Sequence, residues 1–237
     1  MGVAGGPNLV EDGLVFALDA SDKNSYVSGS TSWFDLSANN LSGSLFNGPV
    51  FNSGSGGNIV FDGIDDYCRT TPTPISLRGN SSFTVEGWFR RNGSWSGGAT
   101  WGIGGDASQG GINSYNGGAN LISIDLWGTS TYSTGQTYSL TDWKHAVWTY
   151  NGGGFTTSNI IIYINTVPYT GANLTVNRGG SGTPNINTNG IVLARAGTVE
   201  NNYYSKVTIA NFKIYSRVLS ADEVLQNYNA TKTRFGL

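Results

Sequence analysis

The chain has 237 residues, 12% of them charged, a formal net charge of −2 and one cysteine. Such a length suits a single all-β domain of roughly 200–250 residues, and so sparse a charge excludes the basic footprint that holds nucleic acid or an anionic membrane. No stretch reaches the ~20 apolar residues of a membrane helix, and with Cys68 alone stability must come from packing rather than a disulfide. Polarity is carried by Gly, Ser, Thr and Asn, which fill turns and offer neutral hydrogen bonds, as suits an extracellular or particle-surface β protein.

Residues 1–12 read as a flexible arm. The opening MGVAGGPNLVEDG has neither a cationic region nor an apolar core, so no secretory signal is expected in it, and no myristoylation motif. Leu14 to Ala20 (LVFALDA) reads as the first strand, followed by a loop closing on Trp33-Phe34-Asp35-Leu36-Ser37. There the aromatic pair is expected to pin the loop and Asp35 to accept backbone N–H groups. A sugar platform at Trp33 is the competing reading. Asn58 to Phe61 and Tyr67 to Thr70 read as two strands joined by a tight connection, Asp62-Gly63-Ile64-Asp65-Asp66, in which Gly63 can take positive φ.

Phe83 to Arg90 (FTVEGWFR) alternates, with Phe83, Val85, Gly87 and Phe89 on one face and Thr84, Glu86, Trp88 and Arg90 on the other. Mutual pairing accounts for Glu86 and Arg90. Residues 91–120 form a Gly, Ser and Asn-rich excursion with a short strand near Thr100 to Gly104. Loops this long are usually functional or disordered, and Trp95, Trp101 and Tyr115 give this one something to cover or bind. Further strands are predicted at Leu121 to Trp127, Gln136 to Leu140, Trp143 to Tyr150, Asn159 to Ile164, Val167 to Gly171, Ile191 to Arg195 and Val207 to Tyr215. Asn165-Thr166 is a two-residue hairpin turn. Ser220 with Glu223 makes a capping box for a short amphipathic helix, and residues 231–237 read as a tail.

The sum is an all-β, antiparallel two-sheet sandwich of about a dozen strands with a short C-terminal helix, one domain over residues 13–230. An immunoglobulin-like sandwich normally runs to about 100 residues and has no reason to end on a helix.

Glycoside hydrolysis usually needs two carboxylates across a cleft, and the glutamates are Glu11, Glu86, Glu200 and Glu223. None pairs suitably, and His145, the one histidine, reads as a strand-packing residue. Asp62, Asp65 and Asp66 are the densest carboxylate cluster and the candidate calcium ligands, since calcium takes six to eight oxygens and tolerates irregular loops. The competing reading gives Asp62 and Asp65 to turn N–H groups and pairs Asp66 with water or Arg69. No cofactor is required; a structural calcium is the one considered. Carbohydrate recognition uses aromatic stacking with neutral amides and hydroxyls, for which Trp95, Trp101, Tyr115, Asn116 and Trp127 are candidates by type and position. The same aromatics would equally suit burial against a neighbouring subunit.

The order of NIVFDGIDDYCRT, WKHAVWTYNG…IIIYINTVPYTG and IVLARAG…VTIANFKIYSRVLSADEVLQNYNA resembles the laminin-G-like branch of the concanavalin A-like lectin and glucanase jelly rolls, and WFDLS resembles that family's W-x-D-L-S turn. The resemblance implies a jelly roll and raises the prospect of calcium. Hydrolases on this fold carry a Glu-x-Asp-x-Glu type strand, which nothing here resembles. Both ends, MGVAGGPNLVEDGLVFALDA and LQNYNATKTRFGL, are similar to laminin-G-like virion components of tailed bacteriophages. That likeness implies a non-enzymatic virion-surface protein, decorating a capsid or part of a tail or fibre. Its expected partners are other virion proteins, host or environmental glycans, and copies of itself. A structural capsid cement and a glycan-cleaving depolymerase are the alternatives, and an extracellular home is the alternative location.

Overall fold

The computed structural model describes residues 8–93, 98–105, 108–115, 121–180, 182–197 and 203–237. Strands in the first half are β1 (Leu14–Asp19), β2 (Ser32–Trp33), β3 (Gly43–Phe46), β4 (Val50–Asn52), β5 (Asn58–Val60), β6 (Tyr67–Thr70), β7 (Phe83–Arg91), β8 (Ala99–Gly104) and β9 (Gly111–Tyr115). The second half adds β10 (Leu121–Leu126), β11 (Ser130–Thr137), β12 (Lys144–Tyr150), β13 (Ile160–Ile164), β14 (Val167–Thr170), β15 (Thr175–Arg178), β16 (Ile191–Leu193) and β17 (Val207–Tyr215), then helix α1 (Ala221–Thr231).

They form two antiparallel sheets. The first runs β14-β13-β12-β7-β17-β5-β4, with β1 also on β17; the second runs β15-β11-β10-β9-β8-β16-β6-β3-β2. Phe83, Val85 and Phe89 of β7 face the core between them, as the alternation predicts. In β17 the core residues change parity from Ile209 to Phe212 and Ile214 because a bulge lies between Ile209 and Asn211.

Helix α1 lies on the outer face of the first sheet. Ser220 and Glu223 close the capping box, Val224 packs with Val147, Tyr163 and Tyr215, and Tyr228 and Phe235 cover Trp88. The end of the chain is part of this layer: Arg234 pairs with Asp19 at 2.7 Å, and Trp88 Nε1 donates to Thr231 Oγ1 at 2.8 Å. The arm is also fastened where it is described. Val10 is buried, its N–H donates to Asn227 Oδ1 at 2.8 Å, and Tyr215 Oη donates to its carbonyl at 3.1 Å. Residues 1–7 lie outside the described residues.

Strands β5 and β6 are joined by the tight connection Asp62 to Asp66, as expected, with Gly63 at φ 76°, and because they belong to different sheets it carries the chain across the sandwich. In the excursion 91–120 the strand expected near Thr100 to Gly104 is β8, and a second core strand, β9, follows it. Glu86 and Arg90 do not pair, because residues four apart in a strand are about 13 Å apart. Lys213, directly across in β17, takes Glu86 at 3.0 Å, and the Arg90 guanidinium lies over Trp143. The hairpin at Asn165-Thr166 is present, with φ 46° and 73°, the sign a type I′ turn requires at both positions. In the WFDLS segment Trp33 is buried and Phe34 exposed, while Asp35 accepts from the N–H groups of Ala17, Ser37 and Leu41.

Candidate functional site

A strand buried on one face points every second side chain away from the core. In β10, Ile122, Ile124 and Leu126 enter the core, leaving Ser123 and Asp125 on the outer face of the second sheet. In β11, Tyr132 enters the core and its neighbour Thr131 faces out, opposite Asp125. Thr131 is in turn opposite Arg178 of β15. Tyr115 ends β9, opposite in parity to the core residue Ile112, and Trp127 and Gly128 form the turn after β10.

Together Tyr115, Asp125, Trp127, Gly128, Arg178 and Tyr203 line a cavity of about 320 Å³. Tyr115 and Tyr203 meet edge to face, with ring centroids 5.7 Å apart. Tyr203 is 44% exposed. At the floor, Arg178 Nη2 donates to Asp125 Oδ1 at 2.8 Å, and Thr131 Oγ1 donates to the same oxygen at 2.5 Å. Burial raises the Asp125 carboxyl above the usual range, against the Thr131 hydrogen bond and the charge and hydrogen bond of Arg178. Burial likewise raises the Tyr115 phenol, aided by Tyr203 and Asp125 and opposed by Arg178. The result is a concave site with aromatic walls and one fixed donor–acceptor pair, suited to a polyhydroxylated ring that stacks on one face and hydrogen-bonds at its rim.

Of the sequence-predicted binding residues, Tyr115 and Trp127 meet in this cavity. Trp101 does not: it is fully buried on the core side of β8, its ring edge-on to Trp148 at 5.3 Å, so it cannot stack on a ligand. Trp95 and Asn116 lie outside the described residues. Asp125, Arg178 and Tyr203 were not picked out by sequence. They are scattered along the chain, and the one signal was Asp125 itself, a lone charge at an outward position of the apolar strand LISIDL.

The ligating oxygens of Asp62, Asp65 and Asp66 lie within 4.8 Å of one another, with Asp66 buried and the other two exposed. Part of this set is committed to the turn. Asp62 Oδ1 accepts from Ile64 N at 2.8 Å and Asp65 N at 3.4 Å, and Asp66 Oδ2 accepts from Asp62 N at 3.0 Å. Arg69 donates to the Asn189 carbonyl at 3.3 Å. Burial raises the Asp66 carboxyl, the hydrogen bond from Asp62 opposes this, and the charges of Asp62 and Asp65 raise it further. Three converging carboxylates of one sign fit a hard cation, with Asp65 and the second oxygens of Asp62 and Asp66 as ligands and water completing the shell.

The other titratable cluster lies on the first sheet, beneath helix α1. Glu86 is fully buried between Lys213 at 3.0 Å, Asn227 Nδ2 at 2.9 Å and His145 Nε2 at 3.9 Å. Burial alone would raise its pKa, but Lys213, His145 and the hydrogen bonds from Asn227 and Lys213 hold it below the usual range. Burial drives His145 down to about 4. His145 packs against Trp88 and Tyr228 with its ring tilted to both, as expected of a packing residue. Cys68 is buried, its thiol pushed up to about 12.

Residues 62–225, more than half of the chain, match the laminin G family model described as the concanavalin A-like lectin/glucanases superfamily. The chain belongs to that superfamily. No curated protein sequence matches it. Among solved structures it is similar to Trypanosoma rangeli sialidase in complex with sialic acid, at 16% identity and TM-score 0.61, over 94% of this chain and 33% of that one. It is also similar to the binding domain of Paraclostridial Mosquitocidal Protein 1, at 17% identity and TM-score 0.56, over 93% of this chain and 52% of that one. Domain 4 of AbnA, a GH43 extracellular arabinanase from Geobacillus stearothermophilus, in complex with arabinotriose, matches at 14% identity and TM-score 0.61, over 93% of this chain and 100% of that domain. The chain thus spans about a third of the sialidase's length. At these identities the likeness is one of fold.

Proposed function

We propose that this concanavalin A-like jelly roll is a non-enzymatic glycan-binding module that holds carbohydrate in the Tyr115, Trp127 and Tyr203 cavity. The observation that carries the reading is the aromatic-walled cavity with the Asp125–Arg178 pair at its floor. Binding rather than cleavage is favoured by the carboxylates. Among the described residues, Asp125 is the one carboxylate lining the cavity, and it is engaged by Arg178 and Thr131. Hydrolysis would need a second across the cleft. Glu86 lies on the other sheet under helix α1, out of a substrate's reach.

The setting we propose is a virion surface, as capsid decoration or a tail or fibre component, on the strength of the resemblance of both chain ends to bacteriophage proteins. Display as a homo-oligomer on a particle suits a shallow site, since multivalency raises avidity by ~10² to 10⁴ without new contacts. The fold needs no cofactor; calcium at Asp62, Asp65 and Asp66 would add stability to the crossing turn rather than chemistry to the cavity.

The test is binding of the full chain, displayed on beads, to a panel of glycans and bacterial polysaccharides. Saturable binding competed by free sugar, reduced at least tenfold in Tyr203→Ala and Trp127→Ala with melting unchanged, is the expected result. Absence of binding, together with rebinding to stripped capsids that raises their melting temperature, would replace it with a cement role. Release of reducing sugar would replace it with a depolymerase.

A further inference from the structure

The two charges in the cavity are unequally accessible. The Asp125 side chain is 3% exposed, whereas that of Arg178 is 49% exposed. Asp125 Oδ1 already accepts two hydrogen bonds, from Thr131 and from Arg178. Arg178 spends only Nη2 on this contact, and among the described residues its Nε and Nη1 have no hydrogen-bond partner. The Asp125 contact takes one N–H of Nη2, so one parallel edge of the guanidinium, the second N–H of Nη2 with either Nε or Nη1, remains unpaired among the described residues beside the cavity that Arg178 lines. Among the described residues Arg178 is also the one cation lining the cavity. A ligand entering between Tyr115, Trp127 and Tyr203 therefore meets positive charge, although the pair as a whole is neutral. A guanidinium edge presents parallel N–H groups that match the two oxygens of a carboxylate or sulfate.

Resting on the glycan-binding reading of this cavity, we infer that the site selects sugars carrying an anionic substituent, which pairs with the free edge of Arg178 while the ring stacks on the tyrosine and tryptophan walls. Asp125 is a positioning residue in this arrangement. It fixes the guanidinium plane and its buried charge prevents Arg178 from folding away into solvent. An acidic ligand displaces no existing partner of Arg178 among the described residues, so the new charge-assisted hydrogen bonds add to stacking rather than exchanging for another contact.

The experiment compares the full chain's affinity for galacturonic-acid oligomers, sulfated galactan oligomers and uncharged galactose oligomers of equal length, each across a salt series. Tighter binding of an acidic set by about tenfold or more, shrinking as salt rises, is expected. Arg178→Gln should remove that preference, bringing affinity for the acidic oligomers down to the level of the neutral ones, and Arg178→Lys should keep most of it. The two acidic arms tell carboxylate from sulfate. Equal affinity for neutral and acidic oligomers, or an acidic preference that survives Arg178→Gln, overturns the inference while leaving the glycan-binding reading standing. No binding to any of the three sets, nor to the wider panel, overturns both.

Discussion

Each sheet carries a carboxylate paired with a cation on its outer face, and the two pairs do opposite things. Glu86 and Lys213 stand directly across from one another in β7 and β17, 3.0 Å apart and 0% and 6% exposed. Asp125 and Arg178 reach across β11, 2.8 Å apart and 3% and 49% exposed. What differs is the covering. Helix α1, Val10 and Phe235 roof the first sheet, and Asn227 ties roof to floor by accepting from Val10 and donating to Glu86 and Tyr215. Among the described residues no helix lies over the second pair, and the Arg178 guanidinium is half-exposed. A pair buried on both sides leaves an uncompensated charge when either member is lost, whereas in the second pair only the carboxylate is buried and Thr131 remains bonded to it.

The largest effect should come from breaking the roofed pair. Glu86→Ala strands Lys213 and removes one acceptor of Asn227 Nδ2, and should cost about 3–5 kcal/mol in urea unfolding. Arg178→Gln, the matching change on the second sheet, leaves the buried Asp125 with Thr131 and an amide donor in place of the guanidinium, and should cost less, about 1–3 kcal/mol, while also acting on binding. Similar losses from the two would break the comparison.

Next comes pH. His145 titrates at about 4 in the folded chain against 6.5 ordinarily. Its folded pKa is depressed, so the unfolded chain takes up a proton that the native one refuses. Stability should therefore be flat above about pH 6.5 and fall as pH drops towards 4, by up to about 3 kcal/mol. Replacing His145 with Asn should flatten the curve in that window. An unchanged slope would place the titrating group elsewhere.

Calcium gives a smaller effect. Saturating the Asp62, Asp65 and Asp66 turn at ten times its Kd would add about 1.4 kcal/mol, a rise in Tm of roughly 3–5 °C that Asp65→Ala should abolish. A Tm that ignores both calcium and chelator removes the ion from the account. The smallest is at the β13–β14 turn. Thr166 has φ 73°, a conformation costing a β-branched residue about 1–2 kcal/mol. Thr166→Gly should recover about 1 kcal/mol after the entropy cost of glycine, seen as a higher Tm.

Much of the sandwich was legible because its central strands obey one period. FTVEGWFR alternates without interruption and the Ser220–Glu223 box announces the helix. The second sheet was harder to read. Strand β8, ATWGIG, holds Gly102 where an added Cβ would collide with the Asn113 side chain and crowd Val192, and a glycine required by close packing looks in sequence like a turn residue. The strand itself is legible at Thr100 to Gly104, but its glycines hide which face meets the core, so Trp101 looks in sequence like a binding aromatic. The partner of Glu86 was misassigned for a different reason: Arg90 is near in sequence, but strand geometry gives proximity to the facing residue of the next strand. In the cavity, Tyr115 and Trp127 stood out by type, whereas Arg178 and Tyr203 become site residues only once β15 lies beside β11 and the chain before β17 returns over Tyr115.

The most direct test of the contrast between the two faces is amide hydrogen exchange on the full chain with and without the tightest-binding glycan of the panel. Added protection confined to residues 111–115, 121–137 and 175–178, with residues 219–235 unchanged, is the predicted result. Protection centred on helix α1 and the strands beneath it would place the ligand on the roofed face and contradict the account.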